Sequence, residues 1–239
     1  MTGMDSLDVV PVVEARGVSK TYPDGGAHDG LMVLHPTDLV IASGDQVAIV
    51  GPSGSGKSTL LTILGTLEAP TTGSVLVGGR DVTTMREGER AAVRAGAIGF
   101  VFQQFHLLPT LNAIGNVATG LLYSGVGHAE RRERAVTALE SVGLGHRLDH
   151  RPKQMSGGEQ QRVAIARALV RNPDVLFADE PTGALDSATG ENVIELLTEI
   201  AGRGTALVIV THDSFIADQF ARRIQIRDGV AIEEVPHHV

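Results

Sequence analysis

No cysteine occurs anywhere in the 239 residues, which removes disulfides, thiolate zinc sites and cysteine nucleophiles from consideration. No apolar run approaches the about eighteen residues needed to span a bilayer. The opening stretch, MTGMDSLDVVPVVEARG, carries acids where a signal peptide would carry a basic start and an apolar centre. A soluble, cytoplasmic chain is the expectation. Aromatic residues make up only 3%, against 29 glycines, a balance that favours a turn-rich α/β protein over a β-sandwich. A basic excess is missing as well. The net charge of −8 argues against a chain that binds nucleic acid through its phosphates. Acids interleave the basic stretches Arg86–Arg94 and Arg131–Arg134, which read as solvated helix faces.

What the chain does have is apolar residues, 42% of it, enough to bury a sizeable core in one α/β domain or one domain with an insertion. Four short runs are apolar on both faces and end abruptly in a polar residue or glycine turn. Residues 45–50 (DQVAIV) lead into a glycine-rich turn, and 98–102 (IGFVF) end at Gln103. Residues 175–178 (VLFA) end at Asp179 and Glu180, and 206–210 (ALVIV) at Thr211 and His212. Such runs predict central strands of a parallel sheet covered by helices. Ligands bind beyond the carboxyl ends of such strands, so four strands deliver polar groups to one edge. Helices are expected over 57–67, 159–171 and 190–202, the second stopped by Pro173. Three N-terminal stretches, VVEARGVSKTY, LMVLHPTDLVI and GSVLVGGRDV, predict antiparallel strands with turns, and 104–155 a helix-rich insertion.

The run Gly51, Pro52, Ser53, Gly54, Ser55, Gly56, Lys57 and Ser58, followed by Thr59, fits G-x-x-x-x-G-K-[ST] between a strand and a helix. Its glycines let backbone N–H groups turn inward as an anion nest, and the following helix adds its positive end. Lys57 would reach the β- and γ-phosphates and Ser58 would hold Mg²⁺. Asp179, ending its strand, would be the second partner of the metal. Glu180, one residue on, would polarise a water against the γ-phosphate. Gln103 could sense both metal and water, and His212 could donate to the γ-phosphate.

A second glycine pair opens a helix in MSGGEQQRVAIARAL, with no lysine of its own. In motif order, and from about Val13 to Gly229, the chain resembles the nucleotide-binding subunit of ABC transporters. The resemblance makes residues 51–58 the Walker A motif, Gln103 the Q-loop and Ser156 to Gln160 the signature. Residues 175–180 become Walker B, Gly183 to Asp186 the D-loop, and His212 the switch histidine. It implies an α/β P-loop NTPase (RecA-like) fold: a nucleotide-binding core over 1–103 and 156–239 with an N-terminal antiparallel β-subdomain, and a helical subdomain over 104–155. Two copies would pack head to tail around two Mg-ATP. Ser156, Gly157, Gly158 and Glu159 would then complete the partner's site, which is why the second cradle needs no lysine. Asp186 would lie at the same interface. Tyr22 falls where an aromatic stacks on adenine, although ordinary packing explains it equally well. Met155 replaces the usual leucine, a swap of near-equal volume.

IGFVFQQFHLLPTLNAIGNV and LFADEPTGALDS further resemble the branch that includes macrolide exporters, lipoprotein-release ATPases and the cell-division ATPase. An ATPase driving a separate membrane permease is implied, peripheral on the inner face of the membrane, with no nucleic-acid partner. Two rivals stay open: a soluble ABC ATPase acting on DNA or ribosomes, and a P-loop kinase of small molecules. A nucleotide-sensing scaffold is disfavoured by Glu180.

Overall fold

The structure, a computed structural model, describes residues 10–23 and 30–234. In chain order its elements are β1 (Val13–Tyr22), β2 (Leu31–Ile41), β3 (Gln46–Val50), α1 (Lys57–Leu64), β4 (Thr72–Val77), β5 (Arg80–Asp81), α2 (Glu87–Ala97), β6 (Ile98–Phe102), α3 (Ala113–Ala118), α4 (His128–Ser141), α5 (Gly157–Leu169), β7 (Val175–Asp179), α6 (Ser187–Ala201), β8 (Ala206–Thr211), α7 (Ser214–Ala217), β9 (Arg222–Arg227) and β10 (Val230–Glu234).

The four apolar runs form the middle of a six-stranded sheet of order β10-β9-β3-β8-β7-β6. All of its pairings are parallel except the β9–β10 hairpin. Successive side chains of a strand point to opposite faces, and two separate cores result. Ala48, Leu176, Ala178, Leu207 and Ile209 pack with residues of α3 to α6 on one face. Val47, Ile49, Val175, Phe177, Val208 and Val210 pack on the other with α1 and the N-terminal strands. Phe177, fully buried, stacks on Phe100 at 5.7 Å between ring centres.

The register sets the working edge. Val50 lies beside Thr211, Val210 beside Asp179, and Asp179 beside Phe102. Gly51, His212, Glu180 and Gln103 therefore all follow directly on one rim of the sheet. The N-terminal strands form a second, antiparallel sheet of order β2-β1-β4-β5, as their sequence predicts. Helix α1 contacts strands of both sheets.

Within 104–155, α3 packs on α4 and α5, and Ile114, Val117, Leu139 and Val142 join the core that also holds Val163 and Val193. The basic stretches lie on α2 and α4, where Arg90 pairs with Glu87, and Arg134 with Glu130 at 2.5 Å. Helix bounds differ from expectation. α5 begins at Gly157 instead of Glu159, and α6 at Ser187 instead of Gly190, because Ser156 and Asp186 cap them. α1 stops at Leu64, short of Leu67. The hairpin β9–β10 has no counterpart in the sequence reading.

Candidate functional site

The loop after β3 is held from outside. Gly51 (φ 152) and Gly56 (φ 106) have backbone angles that favour glycine. A β-carbon on Gly51 would come within 2.1 Å of the Ile226 carbonyl, and one on Gly56 within 2.7 Å of that of Val33. Gly229 N–H, in the β9–β10 turn, donates to the Ser55 carbonyl at 3.1 Å. The Lys57 ammonium folds back into the loop and donates to the carbonyls of Gly51 (2.9 Å) and Pro52 (2.8 Å). The first-turn N–H groups of α1 have no carbonyl within the helix and remain available to an anion.

Across from this loop, the Ser58 hydroxyl donates to Asp179 Oδ1 at 3.3 Å. Burial pushes the Asp179 carboxyl above its ordinary range, and the neighbouring Glu180 charge pushes it further, against the Ser58 hydrogen bond and Lys57. One carboxylate and one hydroxyl beside a phosphate cradle suit Mg²⁺, a hard cation that takes few protein ligands and shares phosphate oxygens. An added divalent charge would also answer what raises Asp179. Among the described residues no group of three or more His, Asp or Glu side chains could hold a metal by itself.

Glu180 has φ 46, a left-handed backbone rare for a residue with a side chain. Its N–H donates to the Val210 carbonyl, and its own carbonyl accepts from Gly183 N–H, so β8 and the following turn impose the conformation. This turn throws the carboxylate toward β8, where Oε1 lies 2.8 Å from His212 Nδ1. An ionised carboxylate only accepts, so Nδ1 carries the proton of that bond and Nε2 faces elsewhere. Strained backbone of this kind is stored preferentially at functional sites.

The remaining residues fall into three places. Gln103 follows β6, its side chain lying over Gly183, where a β-carbon would meet Nε2 at 2.7 Å; among the described residues it has no hydrogen bond to Ser58 or Asp179. Tyr22 ends β1. Its hydroxyl donates to Glu68 at 2.7 Å, and the Lys20 ammonium sits 5.1 Å from its ring centre. Burial first, then Glu68, raises its hydroxyl above the ordinary tyrosine range. Any stacking partner must therefore use the ring face opposite Lys20.

The second cradle stands apart. Ser156 caps α5 by accepting from Glu159 N–H at 3.2 Å, and Glu159 accepts in return from Ser156 N–H at 2.8 Å. That backbone bond, then the Arg147 guanidinium, holds the Glu159 carboxyl below its usual range. A β-carbon on Gly158 would come within 2.4 Å of Thr189, and one on Gly157 within 3.2 Å of Leu185, so the turn rests on the start of α6. Asp186 caps that helix, accepting from the N–H (3.0 Å) and hydroxyl (2.7 Å) of Thr189. Met155 is buried in the adjoining core. Among the described residues no hydrogen bond joins residues 156–159 to the 51–59 loop. Sequence reasoning missed the outer braces of the first loop, Val33, Ile226 and Gly229. It also missed the buried Gln161, which contacts the chain on either side of the rim.

Comparison with known proteins agrees with this geometry. The family described as ABC transporter matches residues 34–183. The ABC transporter ATP-binding protein YknY of Bacillus subtilis is 49% identical over 218 residues, 91% of this chain and 94% of its own length. The macrolide export ATP-binding/permease protein MacB of Shewanella sp. (strain ANA-3) is 48% identical over 95% of this chain. The chain spans only 34% of MacB's length. Among solved structures, the dimeric bacterial ABC transporter cassette MJ0796 is 42% identical with a TM-score of 0.84, covering 95% of this chain and all of that one. The same cassette is known as a dimer in a post-hydrolysis state with ADP and Pi, at 41% identity and the same TM-score, with the same coverage.

Proposed function

Because this chain belongs to the ABC transporter family and is an ATPase of it, we propose that two copies close head to tail around two Mg-ATP and drive a membrane permease. Each triphosphate lies between the 51–59 loop of one copy and the Ser156–Glu159 turn of the other. The Lys57 ammonium exchanges two loop carbonyls for β- and γ-phosphate oxygens. Ser58, Asp179 and Gln103 would hold magnesium, which would supply positive charge against the phosphates. Glu180 accepts the proton of the attacking water. His212 orients Glu180 through Nδ1, and Nε2 donates to the γ-phosphate when the ring is protonated. Ser156, which caps α5 by accepting from Glu159 N–H, turns its hydroxyl proton to the partner's nucleotide. Asp186 lines the same interface, and Tyr22 supports adenine with its outer face. The segment 104–155 is the helical subdomain, and 1–103 with 156–239 the nucleotide-binding core.

The observation that carries this reading is the rim itself: Glu180, in a left-handed turn, bonded to His212 and one residue from the Ser58–Asp179 pair. The deciding experiment is Mg-dependent phosphate release from ATP without an acceptor. A phosphorylated small molecule as product would favour the kinase alternative. Among the described residues no helix is long and apolar enough to cross a membrane, so the permease is supplied by another chain or another segment. The likeness to a macrolide export protein supports the export and lipoprotein-release branch. Co-purification with a membrane protein encoded beside this chain tests that assignment.

A further inference from the structure

Gln161 lies within the first turns of α5 and is fully buried. Its Nε2 donates to the Pro181 carbonyl at 2.6 Å and to the Phe102 carbonyl at 3.4 Å. Both partners are acceptors only, so the amide nitrogen must face them. Among the described residues its Oε1 is buried without any donor. A half-satisfied amide in a core is costly, and a leucine or methionine would pack there at less expense. Packing alone therefore does not account for this residue.

Its two partners do. Pro181 follows Glu180, whose backbone is left-handed, and Phe102 precedes Gln103. A single side chain thus grips the main chain next to both residues that face the first cradle. The same helix begins at Ser156, in the second cradle. We propose that Gln161 is a positioning residue linking the Ser156–Gly158 turn, which serves one nucleotide, to Gln103 and Glu180, which serve the other. The proposal rests on the head-to-tail dimer above. In that dimer α5 is a rigid lever, and contact of its first turn with the partner's triphosphate shifts the two carbonyls that set Gln103 and Glu180. Loading of one site then aligns hydrolysis at the second.

The test follows phosphate release against ATP concentration for the wild type, Gln161→Met and Gln161→Asn. Methionine keeps volume without a donor; asparagine keeps the amide but falls short of both carbonyls. Both variants should bind ATP as monomers within about twofold of wild type, and lose about tenfold to a hundredfold in kcat from misplacement of the reacting groups. Their Hill coefficients should drop from above about 1.5 to near 1. If methionine prevents folding, asparagine carries the comparison. A variant that keeps the wild-type Hill coefficient overturns the proposal, whatever its kcat. So does a parallel loss of affinity and kcat, which marks a purely structural role. A wild-type coefficient of 1 overturns the coupling itself, whereas a Glu180→Gln protein that stays monomeric with Mg-ATP overturns the dimer reading beneath it.

Discussion

Replacing Glu180 with glutamine separates proton acceptance from every other duty of that side chain. The amide keeps the shape, and its oxygen can still accept from His212 Nδ1 across 2.8 Å. The left-handed backbone is the same for both residues, so folding stability should move by less than about 0.5 kcal/mol. What is lost is the general base, worth about 10²–10⁴ in rate, or about 3–5 kcal/mol of barrier. Binding moves the other way. Asp179 is held above its ordinary range by burial first and by the Glu180 charge second. Removing that charge lets Asp179 ionise more readily, so Mg-ATP should bind as tightly or more tightly. Closed dimers should then accumulate. Phosphate release measures the first effect, and size-exclusion chromatography with Mg-ATP the second, with the variant running as a dimer and the wild type largely as a monomer. Hydrolysis within about threefold of wild type would mean that Glu180 is not the base, and the mechanism would fail.

Lys57→Ala should abolish tight ATP binding, because it removes the one ammonium inside the loop; fluorescent-analogue titration checks this, and unchanged affinity at physiological salt contradicts the assignment. Ser156→Arg should leave monomer binding of ATP nearly intact while dimerisation and hydrolysis collapse, and loss of monomer binding would count against action on the partner's nucleotide. Asp179→Asn should abolish hydrolysis yet raise the melting temperature of the metal-free protein at neutral pH. A carboxyl raised by burial destabilises the fold above its folded-state pKa, and the cost disappears as pH falls below the ordinary carboxylate range. The gain should therefore be seen at pH 7 and vanish near pH 3 in differential scanning; a lower melting temperature at pH 7 refutes it. Gly51→Ala should destabilise the protein, since its β-carbon would strike the Ile226 carbonyl.

The central strands were legible because burial on both faces writes an unbroken apolar run. Their polar endings were legible for the same reason, and the register brings Gly51, Gln103, Glu180 and His212 to one rim. The hairpin β9–β10 was passed over because only one of its faces is buried: Ile224 and Ile226 alternate with arginines and Gln225. Its Asp228-Gly229 pair is nonetheless a strong hairpin signal once alternation is sought in place of runs. The earlier start of α5 was also written in the chain, as Ser156 and Glu159 at capping-box spacing. Other features exist only after folding. The left-handed Glu180 depends on β8, the retracted Lys57 on the curl of its own loop, and the Tyr22–Glu68 bond spans 46 residues. Gln161 escaped notice because counting apolar positions along a helix skips a polar side chain on its buried face.

The phosphate loop is wedged between backbone on two sides: Ile226 and Gly229 of the C-terminal hairpin, and Val33 of the N-terminal sheet. Neither abutment belongs to the strand–loop–helix unit that carries the motif. A loop gripped in this way has already surrendered its conformational entropy during folding, and the nucleotide need not supply that ordering when it binds. Affinity for ATP is thereby underwritten by strands remote from the motif in sequence, β2 on one side and the β9–β10 hairpin on the other. A graft of the strand, loop and helix into another scaffold would keep every phosphate contact and still bind weakly, because the vice would be left behind.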